Sequence, residues 1–320
     1  MPAMRGGWRG AWRWLKAALA VAIVGGVGWQ FARLLRQPEL WDRPWRLHPG
    51  WLALSVMTYT AGLVCWGTFW LRLLHRLGLH PPVLAAYRAY YVSHLGKYVP
   101  GKAWAILLRA TLLPGVQPGL AALTATYETL TTMAAGALLA VCLVPWFVAG
   151  SEGLGWQALG LLALAGVPIL PGVFNAVVVR LAKPFLGPAA RPPRFAWSTL
   201  PEGLAISGCG WCWLGVSVLA LLQALVPEAP APSAGFTVRC LAYNALSYVA
   251  GFLALPAPGG LGVREVILQQ LLAAELRAEH PEGVAAGLAA LAVIVLRLVW
   301  TATDLAVAAV AYALPAREER

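Results

Sequence analysis

The chain is poor in charge. Only 12% of its 320 residues are Asp, Glu, Lys or Arg, whereas 60% are hydrophobic. Soluble domains carry about 25% charged residues, so this composition excludes an ordinary soluble protein. No polar connector between the apolar runs is long enough to form a separate soluble domain. Any chemistry must therefore take place in or at a lipid bilayer.

Patterns of catalysis and metal binding are also lacking. The five histidines show no metal-ligand spacing, and there is no Walker loop, dinucleotide-binding glycine motif or Ser-His-Asp order. Cys209-Gly-Trp-Cys212 has the spacing of a redox or metal pair, but no second pair accompanies it. All five cysteines lie in apolar segments, where cysteine usually behaves as a small hydrophobic residue. We therefore expect no metal, no cofactor and no catalytic residue.

Long apolar runs dominate the sequence instead. A helix needs roughly 20 apolar residues to cross a bilayer. Runs of about that length or more lie near 16–35, 51–72, 119–147, 156–180, 200–226, 236–256 and 284–313. Three shorter segments (84–97, 101–113 and 262–275) cannot span alone and indicate half-helices or re-entrant hairpins. The sequence predicts an all-α polytopic membrane protein with about seven or eight transmembrane helices and two broken or re-entrant helical hairpins.

The positive charge fits a membrane topology better than nucleic-acid binding. The formal net charge is +11, and the cations cluster at the ends of the apolar runs, as Arg5, Arg9, Arg13 and Lys16 do before the first run. By the positive-inside rule, the N-terminus is expected in the cytoplasm. The first run continues to Leu35 without a small-residue cleavage site, which favours an uncleaved span. We expect a multi-pass protein of the plasma or inner membrane.

The first candidate site is the interrupted segment from Tyr90 to Trp104. Pro100-Gly101 should break the helix there, and a second half-helix should run from about Gly101 to Arg109. Lys102 then lies in its first turn, where free amides and the helix dipole favour a phosphate or carboxylate. A Lys102 side chain that only extends to the membrane surface is the alternative.

The preceding helix should carry an aromatic face with cations beside it. Helical spacing brings together Tyr87, Tyr91, His94 and Tyr98, with Arg88 and Lys97 flanking them. Such a face suits a headgroup pocket, and it suits an aromatic belt at the membrane interface equally well.

The second candidate site, Leu255-Pro-Ala-Pro-Gly-Gly-Leu-Gly-Val-Arg-Glu265, repeats this arrangement. A half-helix should begin near Val263, with Arg264 in its first turn and Glu265 beside it. Arginine matches phosphate with two parallel hydrogen bonds. We expect non-helical breaks at 96–101 and 256–262, and Lys102 and Arg264 facing one polar cavity outside the apolar core. A surface loop with an ordinary salt bridge is the alternative.

Three further charges lie deep in apolar runs. Glu128 is alone in the run 119–147, and Arg297 and Asp304 share a face of the last run. Charges at such depth usually face the protein interior and are functional candidates. We expect Glu128 to pair with Arg297, as a structural or a gating pair, and Glu265 to be able to pair with a cation of the first half.

The two interrupted segments carry a family resemblance. Gly96-Lys-Tyr-Val-Pro-Gly-Lys-Ala-Trp104 and Pro258-Gly-Gly-Leu-Gly-Val-Arg-Glu265 resemble the hallmarks of the flippase-like family of the lysylphosphatidylglycerol synthase membrane region. The context of Glu128 and the Arg297-Leu pair are similar to later family positions. The resemblance implies a lipid-moving inner-membrane protein. This chain has no aminoacyltransferase domain, so it should not be a synthase.

Two main hypotheses follow. The first is a lipid translocase without enzymatic activity, which binds an anionic phospholipid or lipid-linked headgroup through Lys97, Lys102, Arg109, Arg264 and Glu265. The alternative is a membrane-embedded transferase acting on a lipid-linked substrate, which needs a general base or metal carboxylates. A passive scaffold subunit is the third possibility. We expect one domain, 1–320, with related halves at about 1–150 and 151–320, and no nucleic-acid partner.

Overall fold

The computed structural model describes residues 29, 31–36, 38, 47–98, 104–113, 115–147, 155–182, 194–226, 229–254, 260 and 262–314. Throughout these ranges the regular structure is helical, and the described residues contain no β-strand. The predicted all-α class is confirmed for this part of the chain.

Residues 31–35 are helical, and from Pro49 onwards ten α-helices follow one another in the described ranges. They are α1 Pro49–Arg76, α2 Val83–His94, α3 Trp104–Leu112, α4 Pro118–Leu143, α5 Gly155–Gly166, α6 Pro171–Ala182, α7 Thr199–Leu225, α8 Ala234–Leu253, α9 Val263–Leu276 and α10 Glu282–Ala313. Short 3-10 turns follow α2 (Leu95–Tyr98) and α4 (Val144–Trp146) and join α5 to α6 (Val167–Ile169). Proline opens α1, α4 and α6, because it is preset for the first helical turn.

Four of these helices are long and apolar enough to cross a membrane: α1, α4, α7 and α10. They match four of the predicted runs within a few residues at either end. The run predicted at 156–180 is bent by 59° between Ile169 and Pro171, so α5 and α6 form at most a fifth candidate span. The run predicted at 236–256 corresponds to α8, which is not one of the four helices long and apolar enough to cross a membrane. The first predicted run lies mostly outside the described residues, so a total of seven or eight spans stays a prediction.

Small residues let the long helices approach closely. On α7, Gly203 packs against Phe69 of α1 and Gly210 against Trp66 of α1, while Gly62 of α1 packs against Leu214. Glycine at such crossings removes the bulk that would separate two helices in lipid. Helix α8 lies against α4, α7 and α9, and α10 lies against α9, α2 and α1. These contacts place the short helices α2, α3 and α9 beside the long ones.

In each interrupted segment one α-helix ends before the next begins, as predicted. Helix α2 ends at His94 and the next α-helix begins at Trp104, while α8 ends at Leu253 and α9 begins at Val263. The first segment folds back on itself, because a Cβ added to Gly96 would lie 2.6 Å from the Ala105 nitrogen. The predicted non-helical breaks at 96–101 and 256–262 are described only in part, and the prediction is wrong for 96–98, which belong to the 3-10 turn Leu95–Tyr98. Residues 99–103 and 255–259, with their prolines, lie outside the described residues.

The glycines before α9 adopt backbone conformations that other residues rarely reach. Gly260 and Gly262 have φ values of +74° and +92°. A Cβ on Gly260 would lie 2.7 Å from the Gly251 carbonyl carbon of α8, so this loop lies directly against that helix. Whether the two halves of the chain are related by an internal repeat stays a prediction.

We expect Gly96→Ala to destabilise the first hairpin, because its new Cβ would overlap the backbone of Ala105. Overpacking of this kind costs about 1–3 kcal/mol. Gly208→Ala is the matched control, since a Cβ at this helical glycine of α7 meets nothing within 4 Å. It should stabilise the protein by up to about 1 kcal/mol. Thermal unfolding of both variants in detergent tests this; equal melting temperatures would contradict the close approach.

Candidate functional site

Seven charged side chains lie in one connected network inside the helical bundle, and we call this network the charge cluster. Its members are Lys97, Arg109, Glu128, Arg264, Glu265, Arg297 and Asp304, all of which the sequence singled out. Five of them are buried, and Lys97 and Arg297 are partly exposed. Aromatic side chains connect the members to one another. The structure therefore brings together every described residue of the predicted site.

The deepest ion pair joins α3 to α4. Arg109 Nη1 donates to Glu128 Oε2 over 2.8 Å, and Arg109 Nε donates to Ser93 Oγ over 3.0 Å. The guanidinium also lies 4.2 Å from the centre of the Tyr90 ring. Thr132 donates to the other oxygen of Glu128. A buried pair needs such additional hydrogen bonds to offset the loss of hydration.

A second network surrounds Asp304 on α10. Its Oδ2 lies 2.7 Å from Lys97 Nζ and accepts a hydrogen bond from the Tyr98 hydroxyl, while Oδ1 accepts one from Tyr59. Lys97 Nζ also lies 2.9 Å from His94 Nε2. One carboxylate thus ties α10 to α1 and to the 3-10 turn that follows α2.

The third carboxylate, Glu265, holds the start of α9. Its Oε2 accepts a hydrogen bond of 2.6 Å from the Gly262 amide, and its Oε1 lies 2.7 Å from Arg297 Nε of α10. A glutamate at the third helical position often reaches back to the residue that precedes the helix. Glu265 therefore fixes the beginning of α9 against α10.

Two predicted pairings are wrong. Glu128 pairs with Arg109 instead of Arg297, and Glu265 pairs with Arg297 of its own half instead of a cation of the first half. Both predicted ion pairs would have joined the first half of the chain to the second half. In the structure, each carboxylate finds its cation on a helix that packs directly against its own: α3 on α4, and α9 on α10.

Arg264 is the exceptional member of the charge cluster. It is 5% exposed, which corrects the expectation that it lies outside the core. Its guanidinium carbon lies 4.0 Å from the centre of the Tyr248 ring and 4.8 Å from that of Trp300. Within the described residues it has no ion-pair partner, and its buried Nη2 has no hydrogen bond. Its side chain begins directly against α8, since a Cβ added to Gly251 would lie 2.9 Å from Arg264 Cβ.

The cluster therefore carries an excess of positive charge. Four cations (Lys97, Arg109, Arg264, Arg297) and three carboxylates (Glu128, Glu265, Asp304) give a net charge of +1 (4 − 3). Each carboxylate has an ion-pair partner among the other three cations. Arg264 holds the uncompensated charge.

Aromatic residues of the site were only partly foreseen. The face of Tyr87, Tyr91, His94 and Tyr98 was predicted, and His94 and Tyr98 do lie at Asp304. Tyr59, Tyr90, Tyr248 and Trp300 were missed. Trp300 could have been found, because it lies three residues after Arg297 and four before Asp304, on the same helical face. Lys102 lies outside the described residues, so its place beside Arg264 stays a prediction.

No protein-family model matches the chain, and no curated protein is similar to it at a significant level. Within the described residues, no group of three or more His, Cys, Asp or Glu side chains could hold a metal ion. The geometry of the charge cluster is therefore the basis for any functional proposal.

We expect Glu128→Gln to destabilise the protein by about 3–5 kcal/mol, because it leaves Arg109 charged and buried without a counter-ion. Glu282→Gln is the matched control, since Glu282 pairs with Arg277 at the exposed start of α10. Exposed pairs contribute at most about 1 kcal/mol. Thermal unfolding in detergent should separate the two variants clearly. A similar small loss in both would show that Glu128 is not the counter-ion of Arg109.

Proposed function

We propose that this chain is a membrane lipid translocase, resembling the flippase-like family, that binds an anionic lipid headgroup at Arg264. The partners under this proposal are the bilayer and an anionic phospholipid or lipid-linked headgroup. The observation that carries the proposal is the buried guanidinium, which has no ion-pair partner among the described residues. Three physical arguments support it.

The first argument is electrostatic. A buried ion loses its hydration at a cost of several kcal/mol, which is offset only by a counter-ion and further hydrogen bonds. Contacts of Arg264 with Tyr248 and Trp300 recover part of this, at about 2 kcal/mol for a desolvated cation on an aromatic ring. Aromatic faces offer no strong acceptor to the guanidinium hydrogens. An anion fills that need, and phosphate oxygens match the arginine fork.

The second argument is the position of Arg264 on its helix. It is the second residue of α9, where the helix dipole presents positive charge. A cation is unfavourable at this end, whereas an anion bound beside it gains from both the dipole and the guanidinium. Helix beginnings that follow a break inside the membrane are recurrent binding sites for anionic substrate groups in transporters.

The third argument is the setting of the site. Three members of the charge cluster lie on candidate spans, Glu128 on α4 and Arg297 and Asp304 on α10, and Tyr59 of the candidate span α1 donates to Asp304. This setting suits a molecule with a charged headgroup and apolar chains. Its headgroup can enter the charge cluster while its chains stay against the apolar surfaces around it. A lipid has this composition, and movement of its headgroup through a polar interior avoids exposing the phosphate to hydrocarbon.

The geometry favours translocation over the transferase alternative. A general base needs to reach the proton that it removes. Glu128 is engaged by Arg109 and Thr132, Glu265 by Arg297 and Gly262, and Asp304 by Lys97 and two tyrosines. All three carboxylates of the cluster thus hold helices together.

We expect Arg264→Met to abolish lipid movement without lowering stability, because it removes an unpaired buried charge and keeps a long apolar side chain. Arg264→Lys keeps the charge but loses the fork, so the rate should fall about tenfold or more, the equivalent of one charge-assisted hydrogen bond. The measurement is the accessibility of fluorescent acyl-labelled anionic lipids to a membrane-impermeant quencher in liposomes that contain the purified protein.

Arg109→Met is the matched control for the stability measurement. It removes a paired cation, leaves Glu128 alone and should lower the melting temperature in detergent, whereas Arg264→Met should not. Lipid movement at the wild-type rate in well-folded Arg264→Met would refute the proposed function. A stability loss in Arg264→Met equal to that in Arg109→Met would show that Arg264 has a structural counter-ion.

A further inference from the structure

Asn244 on α8 is a second buried polar group without a partner. Its side chain is fully buried, and neither Oδ1 nor Nδ2 has a hydrogen bond within the described residues. A buried amide with no partner costs free energy on the scale of several lost hydrogen bonds. Leucine has the same side-chain shape and would avoid this cost, so the amide indicates a missing partner.

Asn244 lies on the side of α8 that contacts Arg264. Asn244, Tyr248 and Gly251 follow the helical spacing i, i+4 and i+7, so they share one face. Arg264 begins against Gly251 and extends to the ring of Tyr248, towards the level of Asn244. Tyr248, whose ring the guanidinium contacts, lies one helical turn from Asn244 along this face, at about 5.4 Å per turn.

We propose that Asn244 binds a hydroxyl group of the headgroup whose phosphate binds Arg264, which assigns the substrate to the anionic lipids with a hydroxylated headgroup. This inference rests on the proposed function. A hydroxyl group donates to Oδ1 and accepts from Nδ2, so it satisfies both halves of the amide. An ammonium group only donates, and a trimethylammonium group does neither. A glycerol- or sugar-like headgroup has its hydroxyls a few ångströms from the phosphate, which fits the spacing.

The test compares two acyl-labelled lipids that differ only in hydroxyl groups: phosphatidylglycerol and phosphatidylpropanol. Both carry a phosphodiester of the same charge and a three-carbon headgroup. Wild-type protein in liposomes should move phosphatidylglycerol about tenfold faster, which corresponds to about 1.4 kcal/mol of hydrogen bonding. Asn244→Leu should remove this preference, so that the variant moves the two lipids at equal rates.

Stability separates a ligand from a structural water. Asn244→Leu should melt at the same or a higher temperature in lipid-free detergent, because an unsatisfied amide is replaced by an apolar group of the same shape. If a water satisfied the amide, the variant would melt lower, and the inference would be wrong. Asn175→Leu is the matched control. Its amide exchanges two hydrogen bonds with the Phe195 backbone, so this variant should lose stability and keep the lipid preference.

The outcomes distinguish the two proposals. Equal rates for both lipids in the wild type, or a preference that persists in Asn244→Leu, would overturn the inference and leave the proposed function standing. Movement of neither lipid would refute the proposed function itself. Uptake of soluble glycerol phosphate into the same liposomes, without lipid movement, would assign the site to a free anion and overturn both.

Discussion

The structure depends on one constraint: a carboxylate buried among apolar helices needs a cation beside it. Each of the three interior carboxylate pairs joins a short, interrupted segment to a long candidate span. Glu128 on α4 holds α3 through Arg109, Glu265 of α9 binds Arg297 on α10, and Asp304 on α10 binds Lys97 of the 3-10 turn after α2. Apolar contact between helices gains little over contact with lipid, so the apolar packing of these short helices holds them in place only weakly. The ion pairs therefore determine where the interrupted segments lie.

The same constraint makes the fourth cation informative. Three cations pair with the three carboxylates, and Arg264, which contacts two aromatic rings, has no carboxylate partner within the part of the chain that the structure describes. The surrounding structure holds this residue firmly: Glu265 fixes the start of its helix, and Gly251 and Gly260 let the loop approach α8. A site that is rigidly built around an uncompensated charge has the preorganisation that anion binding requires. Flexible surface arginines offer the charge without that arrangement.

Sequence reasoning found the helices and the charged residues, because both leave strong signals. Apolar length predicts spans, and a charge in an apolar run is rare enough to stand out, as Glu128, Arg297 and Asp304 did. The pairings were not predictable, since they depend on which helices touch, and the sequence does not encode contacts between helices in any local pattern. Tyr59 and Tyr248 were missed for a different reason. A tyrosine in an apolar run is equally compatible with an interfacial belt, and only its contacts reveal a role in the interior. Of the residues that were missed, Asn244 was the easiest to find from the sequence, because it is a single amide in a long apolar run.

Under the proposed function, the three ion pairs have different roles because their side chains differ in exposure. The Arg109–Glu128 side chains are each 4% exposed, so no headgroup reaches them without a rearrangement of α3 and α4. Lys97 and Arg297 are 22% and 19% exposed, while their carboxylates are nearly covered. A phosphate can therefore approach these two cations from outside and share them with Asp304 and Glu265 before it reaches Arg264. Under the proposed function, such sharing would weaken the ion pairs that join the 3-10 turn and α9 to α10. The inner pair lies out of reach of the headgroup and keeps α3 on α4.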